Sequence, residues 1–253
     1  MSEKVATLRS PENFENFTKP SNFGLAFYTC YFGGDFNYSK LIPPIPSLHY
    51  DCYYFTNNSD IYQQLEGTPW KRVWMDTIPI HDCHVKDNMS AKEIRVCPHR
   101  FDLLRDYTYL CWFDSKVQMY EDKVLECIAV LDQHPEKIMA LTKHVCSDTF
   151  RTVWDEYHLA MIYDKYRLEK DRNLAYMENR LAEGYSEHLD VHFCSTVTVK
   201  KNCAKMIEFD EEWYRHILEC GIECQISLSF VQQKYFDWIH VLEAKSIWKY
   251  FYE

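Results

Sequence analysis

The chain has 253 residues, 47% hydrophobic and 16% aromatic, which is enough to bury one large core, and it carries a formal net charge of -10 at pH 7. That carboxylate surplus argues against a nucleic-acid partner, which demands Lys and Arg on one face, but leaves room for a small anionic substrate held by a few cations. No run of about 20 apolar residues is present to span a bilayer, and the opening MSEKVATLRSPENFENF lacks the apolar core of a signal peptide.

Eleven cysteines lie scattered from Cys30 to Cys224 without a repeated CxxC, so neither a disulfide framework nor a zinc ribbon is indicated. The expectation is a soluble protein of a reducing compartment, cytoplasmic. Six Gly and nine Pro leave little material for linkers, which favours a single domain over residues 1–253.

In chain order, GLAFYTCYF from Gly24, YDCYYFTN from Tyr50 and KRVWMD from Lys71 read as buried strands, with IPPIPS as a loop between the first two. HDCH, His81 to His84, offers zinc-ligand types, but four adjacent residues do not readily reach one ion, and it reads as loop. SAKEIRVCPH predicts a short helix capped by Ser90 with Glu93 three residues on, stopped near Pro98. Lys92 and Arg95 stand at i, i+3 on one face of it, and with His99 and Arg100 they make a basic cluster suited to phosphates or to solvent. YTYLCWFD is the fourth strand and ends on Asp114. The carboxyl ends of strands form the ligand crevice of an open α/β sheet, so Asp114 is a candidate site residue; its alternative role is to cap the next helix.

DKVLECIAVLDQ has helical spacing, and KIMALTKH is strand again, so the order is βαβ-like with a largely parallel sheet flanked by helices. Lys143 and His144 close that strand, with Asp148, Arg151, Asp155 and Glu156 at the following helix start, where the helix dipole alone also favours acids. From about Ser147 the composition shifts. Residues 148–183 contain no Gly or Pro and predict long helical segments ending at Gly184. DVHFCSTVTVKK is a β-branched strand, and the remainder reads as helix, short helix and an aromatic tail.

Seven pieces in order, YTCYFGGDF, DCYYFTNN, KEIRVCPHR, YLCWFDSKVQM, ALTKH, VWDE and ECQISLSF, carry a resemblance from about Leu25 to Val241. The chain resembles a glycosyltransferase-like family of GT-A type, formerly a domain of unknown function. Its members are plant Golgi proteins of cell-wall polysaccharide synthesis and proteins of bacteria and large DNA viruses; a viral origin would place this protein in the host cytosol. The resemblance implies a GT-A-like fold with a nucleotide-sugar-binding half over about 24–146 and a helix-rich acceptor half over about 147–253. It further implies Tyr28, Thr29, Cys30 and Tyr31 beside the base or ribose and Thr56 and Asn57 at the uracil edge, though core packing is the competing role for the tyrosines.

GT-A enzymes commonly use Asp-x-Asp to hold a divalent cation; here the triplet is Asp114-Ser115-Lys116, and lysine cannot ligate an ion. The Mn²⁺ or Mg²⁺ site that the resemblance implies is therefore weakened, completed by another residue such as His240, or replaced by the Lys116 ammonium on the diphosphate. ECQISLSF matches a piece usually written Arg-Asp-Gln: Glu223 stands where Asp is usual, Gln225 follows, and the Arg is lost, with Arg151 as substitute.

The resulting expectation is transfer of a sugar from a nucleotide-diphosphate donor, UDP-linked with UDP-xylose as first trial, to a glycan hydroxyl. Glu156 and Glu223 are the leading catalytic carboxylates, ahead of Asp155 and Asp148. Donor contacts are expected from Lys92, Arg95, Asp114, Ser115, Lys116, His144, Arg151 and Gln225. The rival readings are an inactive sugar- or nucleotide-binding protein and a hydrolase built on His144 and its neighbouring carboxylates.

Overall fold

Residues 24–34, 42–81 and 83–250 are described by a computed structural model. The N-terminal reading, Asp35 and Phe36 of the first family piece and Asp82 of HDCH lie outside the described residues.

The strands expected from apolar runs form: β1 (Leu25–Tyr31), β2 (Asp51–Thr56), β3 (Lys71–Trp74), β4 (Tyr109–Phe113), β6 (Met139–Lys143) and β7 (Phe193–Lys201). Three shorter strands, β5 (Val117–Met119), β8 (Ile239–Leu242) and β9 (Trp248–Tyr250), were not legible, the last two within the aromatic tail. The helices are α1 (Ser59–Gln64), α2 (His84–Val96), α3 (Asp102–Arg105), α4 (Glu121–Gln133), α5 (Val153–Ala160), α6 (Asp164–Arg167), α7 (Lys170–Ala182), α8 (Ala204–Cys220) and α9 (Cys224–Tyr235).

Seven strands make one sheet in the order β3-β2-β1-β4-β7-β6-β8, with β5 and β9 paired separately. Within the seven-stranded sheet the pairings are parallel except those that β7 makes with β4 and β6. The sheet is thus mostly parallel and flanked by helices, as expected, and β7 from the second half of the chain is built into its middle. A parallel strand is covered on both faces, which is why β1 and β4 read as unbroken apolar runs rather than alternating ones.

One face of the sheet packs Phe27, Tyr54, Cys111 and Phe113 on α1 and α4 through Ile61, Val124 and Leu131. The other packs Tyr28, Phe55 and Trp112 under α2 and α3, and Met139 and Leu141 under α8 and α9. A further layer, α5 and α7, rests on α9 through Val153, Tyr176, Met177 and Phe230. No helix among the described residues is long and apolar enough to cross a membrane. All eleven cysteines are free thiols.

Two boundaries differ from the sequence reading. The α2 helix begins at His84, six residues before Ser90, whose hydroxyl instead donates to the Lys86 carbonyl one turn back. The stretch 148–183 forms helical segments as expected, but they are three, one of only four residues, because the chain turns at 161–163 without Gly or Pro to mark it.

Candidate active site

The crevice lies where β4 ends. Asp114 follows the buried run Tyr109–Phe113, and its carboxylate meets two cations: Arg95 Nη1 at 3.8 Å from Oδ1 and Lys116 Nζ at 3.4 Å from Oδ2. Burial pushes the Asp114 carboxyl up, but Lys116, Arg95 and Lys92 outweigh it and hold the group below the usual aspartate range. Ser115 lies between Asp114 and Lys116, partly exposed at the turn that leads into β5. Asp114 therefore does not serve as a helix cap; Tyr120 occupies the N-cap of α4.

The α2 helix delivers its cations to this place because Lys92 and Arg95 share a face. Arg95 is buried against the rings of Trp112 and Trp213, donates to the Ser195 carbonyl and leaves its Nε without a partner. Lys92 donates to Cys224 Sγ at 3.3 Å, at the start of α9. His99 and Arg100 do not join them: they pair with Glu211, and Arg100 also with Glu93, so the basic cluster read from the sequence divides into a crevice pair and a surface network.

The second half of the chain supplies the carboxylates. Glu223 caps α9, its Oε1 accepting the Gln225 amide at 3.0 Å, and its charge, after burial, raises the pKa of the neighbouring Tyr166 hydroxyl. Gln225 Oε1 accepts the Ser195 amide at 3.2 Å, which fixes its side-chain amide so that Nε2 donates to Glu156 Oε1 at 2.8 Å. Burial first, and then the neighbouring Glu223 charge, pushes the Glu156 carboxyl up from 4.5 to about 8, against the opposing Gln225 bond. Burial thus biases Glu156 toward its protonated form.

That shift has a stability consequence of definite sign. A carboxyl whose pKa is raised on folding binds more protons in the native state, so its contribution is full below pH 4.5 and is lost progressively up to about pH 8. The melting temperature of wild type relative to Glu156→Gln is expected to fall as pH rises through this window. A difference flat in pH would show that the carboxyl is not raised.

Lys165 and Tyr166 of α6 also border the crevice, a position that no local motif marks. Burial, then the positive charges of Lys92 and Lys116, lower the Lys165 pKa, while Glu223 and Asp114 oppose that effect. Four cations, Lys92, Arg95, Lys116 and Lys165, therefore stand within electrostatic reach of Asp114, in a chain of net charge -10.

Other expected residues have different employment. Tyr28 is fully buried, stacked edge-on to Trp112, and its hydroxyl donates to the Arg95 carbonyl, so it supports the crevice from beneath. Cys30 is buried with Sγ on the Ala91 carbonyl, and Thr29 is buried with its hydroxyl unpartnered. Tyr31 is half-buried, its hydroxyl donating to the Gly34 carbonyl. Thr56 accepts the Asn58 amide, and Asn57 is spent on the Gly33 amide and the Ile78 carbonyl. Asn57 therefore ties the end of β2 to the loop after β1, and Thr56 shapes the turn into α1.

Asp155 is also reassigned. It forms a capping box with Thr152, accepting that residue's amide and hydroxyl and the Arg151 amide, and so starts α5. Arg151 is exposed and folds its guanidinium onto the carbonyls of Ser147, Asp148 and Phe150, which occupies the cation proposed to replace the missing Arg. Asp148 is exposed in that loop. His144 Nδ1 accepts the Cys146 amide, and its ring stacks on Phe150; burial lowers its pKa, with Glu223 opposing.

His240 sits on edge strand β8 opposite Ala140, with Lys137 and His134 as its charged neighbours. Three strand spacings separate β8 from β4, about 14 Å, whereas ligand bonds to a hard cation are only about 2–2.6 Å long. His240 does not complete a metal site with Asp114. Nor do the residues around Asp114 suit a divalent ion, since both its oxygens face cations. Among the described residues, Cys97, His99 and Glu211 are close enough together to share an ion, but Arg100 already occupies Glu211.

No family model matches the chain, and no curated protein matches it. Among solved structures, it is similar to mouse xyloside xylosyltransferase 1 in its apo form, with 11% identity over 85% of this chain and 84% of that one and a TM-score of 0.47.

Proposed function

We propose that this chain is a glycosyltransferase that moves a sugar from a nucleotide-diphosphate donor to a hydroxyl of a glycan acceptor. The observation that carries the reading is the convergence of Lys92, Arg95, Lys116 and Lys165 on Asp114 at the carboxyl end of β4, with Glu223 and Glu156 alongside. So many cations around one carboxylate fit an anionic occupant, and the sequence resemblance names its class. A UDP-sugar is the first donor to try, UDP-xylose among them. On this reading the 24–146 half holds the nucleotide, and the 147–253 half brings the acceptor and the base.

In the displacement, an oxygen lone pair of the acceptor attacks the anomeric carbon as its bond to the diphosphate oxygen breaks, through an oxocarbenium-like transition state. The acceptor proton passes to Glu223, which caps α9 beside the crevice, while Glu156, whose carboxyl burial biases toward the protonated form, steadies Gln225. The electron pair of the broken bond leaves on the diphosphate, whose charge Lys116, Lys92, Lys165 and Arg95 offset in a partly desolvated crevice. Asp114 orients the ribose and the cations.

This site takes over with ammonium and guanidinium groups the work that a divalent ion performs in an Asp-x-Asp enzyme. Chelator is expected to leave sugar transfer unchanged, and Lys116→Asp to make transfer depend on added Mn²⁺ or Mg²⁺. Transfer assays with and without chelator check both. A wild-type enzyme silenced by chelator would refute the cation-only crevice.

A further inference from the structure

Glu223 is held from behind as well as from the crevice. The turn from α8 to α9 passes through Gly221 at φ 118°, a conformation that favours glycine. Against it lies the Glu169 carboxylate, 8% exposed: Oε2 accepts the Ile222 amide at 2.6 Å, and Oε1 accepts Arg172 Nη1 at 2.5 Å. A Cβ on residue 221 would stand 2.5 Å from Glu169 Oε2, so the carboxylate reaches this turn only because residue 221 is glycine.

The neighbouring residues of α7 grip the same turn. Asn173 Nδ2 donates to the Cys220 carbonyl at 2.6 Å, and Arg172 donates Nε to the Glu219 carbonyl at 3.0 Å and Nη2 to the Leu218 carbonyl. A cation at the carboxyl end of α8 also complements its dipole. Three residues before Glu169, Tyr166 stands within electrostatic reach of the Glu223 carboxylate. One stretch of chain therefore borders the side chain of Glu223 and holds the backbone that presents it.

The α8 helix does not need this arrangement to end, since the Gly221 amide already closes its last turn on the Ile217 carbonyl. Burying a carboxylate to bind one further amide is costly unless the hydrogen bonds compensate, and here they are spent on residue 222, next to Glu223. We infer that Glu169 is a positioning residue for Glu223, acting through the Gly221–Ile222 backbone, so that α7 aims the group that receives the acceptor proton. This rests on the reading of Glu223 as that group.

The test is a double-mutant cycle in the transfer assay. Glu169→Ala is expected to lower kcat by up to about 100-fold, as a misplacement of about 1 Å does, with the donor KM little changed. Glu169→Gln, which keeps an acceptor oxygen for the Ile222 amide, should restore most of the rate. Added to Glu223→Gln, Glu169→Ala should cost little more, because both act through one group. Additive losses, or a rise in KM without a fall in kcat, would overturn the inference. If Glu169→Ala does not fold, Glu169→Asp, one methylene shorter, withdraws the acceptor and takes its place.

A second readout does not need activity. Carboxyl ¹³C NMR should place the Glu156 titration near 8 in wild type and in Glu169→Gln, and lower in Glu169→Ala, where Glu223 has moved away. An unchanged Glu156 midpoint in Glu169→Ala contradicts the positioning role even in a protein that transfers no sugar. Absence of transfer by wild type with every donor would instead defeat the functional reading alone.

Discussion

Replacing Glu223 with Gln is expected to lower turnover by about 10²- to 10⁴-fold while leaving donor affinity near that of wild type. The amide keeps an oxygen for the Gln225 N–H, so the cap on α9 survives and the loss reports chemistry rather than folding. Glu156→Gln makes the informative contrast. Its carboxyl is biased toward the protonated form, because burial and the Glu223 charge raise it to about 8, so an amide there changes little in charge and should cost much less in rate. Steady-state kinetics and donor binding on the two variants decide between them. If Glu156→Gln suffers the larger loss of turnover, Glu156 rather than Glu223 is the base.

Removing Lys200 is expected to produce the largest loss of stability. Lys200 and Asp210 are 1% exposed and pair at 2.6 Å, joining β7 to α8, and the ammonium also donates to the Val96 carbonyl at the end of α2. Lys200→Met leaves Asp210 buried without its cation and should cost about 3–5 kcal/mol in denaturant unfolding, whereas Lys200→Met with Asp210→Leu should recover most of that. A single-variant loss under about 1 kcal/mol would show that the pair contributes little beyond packing. The pair also bears on the site, because α2 carries Lys92 and Arg95 and its last turn is tied down by this ammonium.

Much of the sheet was legible because its signal is local. Strands buried on both faces need unbroken apolar runs, and LAFYTCY, CYYFT and YLCWF have them, so the place of Asp114 at a strand end followed directly. The cations of α2 were legible for a similar reason, since i, i+3 spacing determines a shared face. The role of Asp155 is also local: Thr152-Val-Trp-Asp155 has the spacing of a capping box, which the sequence itself displays.

What stayed hidden depends on contacts between distant residues. Asn57 looked available at a strand end, but whether an amide is free depends on its partners, here Gly33 and Ile78. Lys165 and Tyr166 belong to a four-residue helix within a stretch of uniform helical composition, and only the fold turns them toward Asp114 and Glu223. His240 looked like a ligand until the strand order put two strands between its own and that of Asp114.

Thermal-shift titration with UDP, GDP and CMP sugars in excess chelator, on wild type and Asp114→Asn, decides whether the crevice around Asp114 binds a nucleotide-diphosphate sugar through its cations. A ligand that binds only the folded state raises stability by RT ln(1 + [L]/Kd), so a shift that grows with ligand concentration gives the affinity. A saturable shift is expected with a nucleotide-diphosphate sugar in chelator, weakened in an Asp114→Asn protein that is otherwise folded. Absence of any shift across these donors, or an equal shift in Asp114→Asn, would contradict such binding.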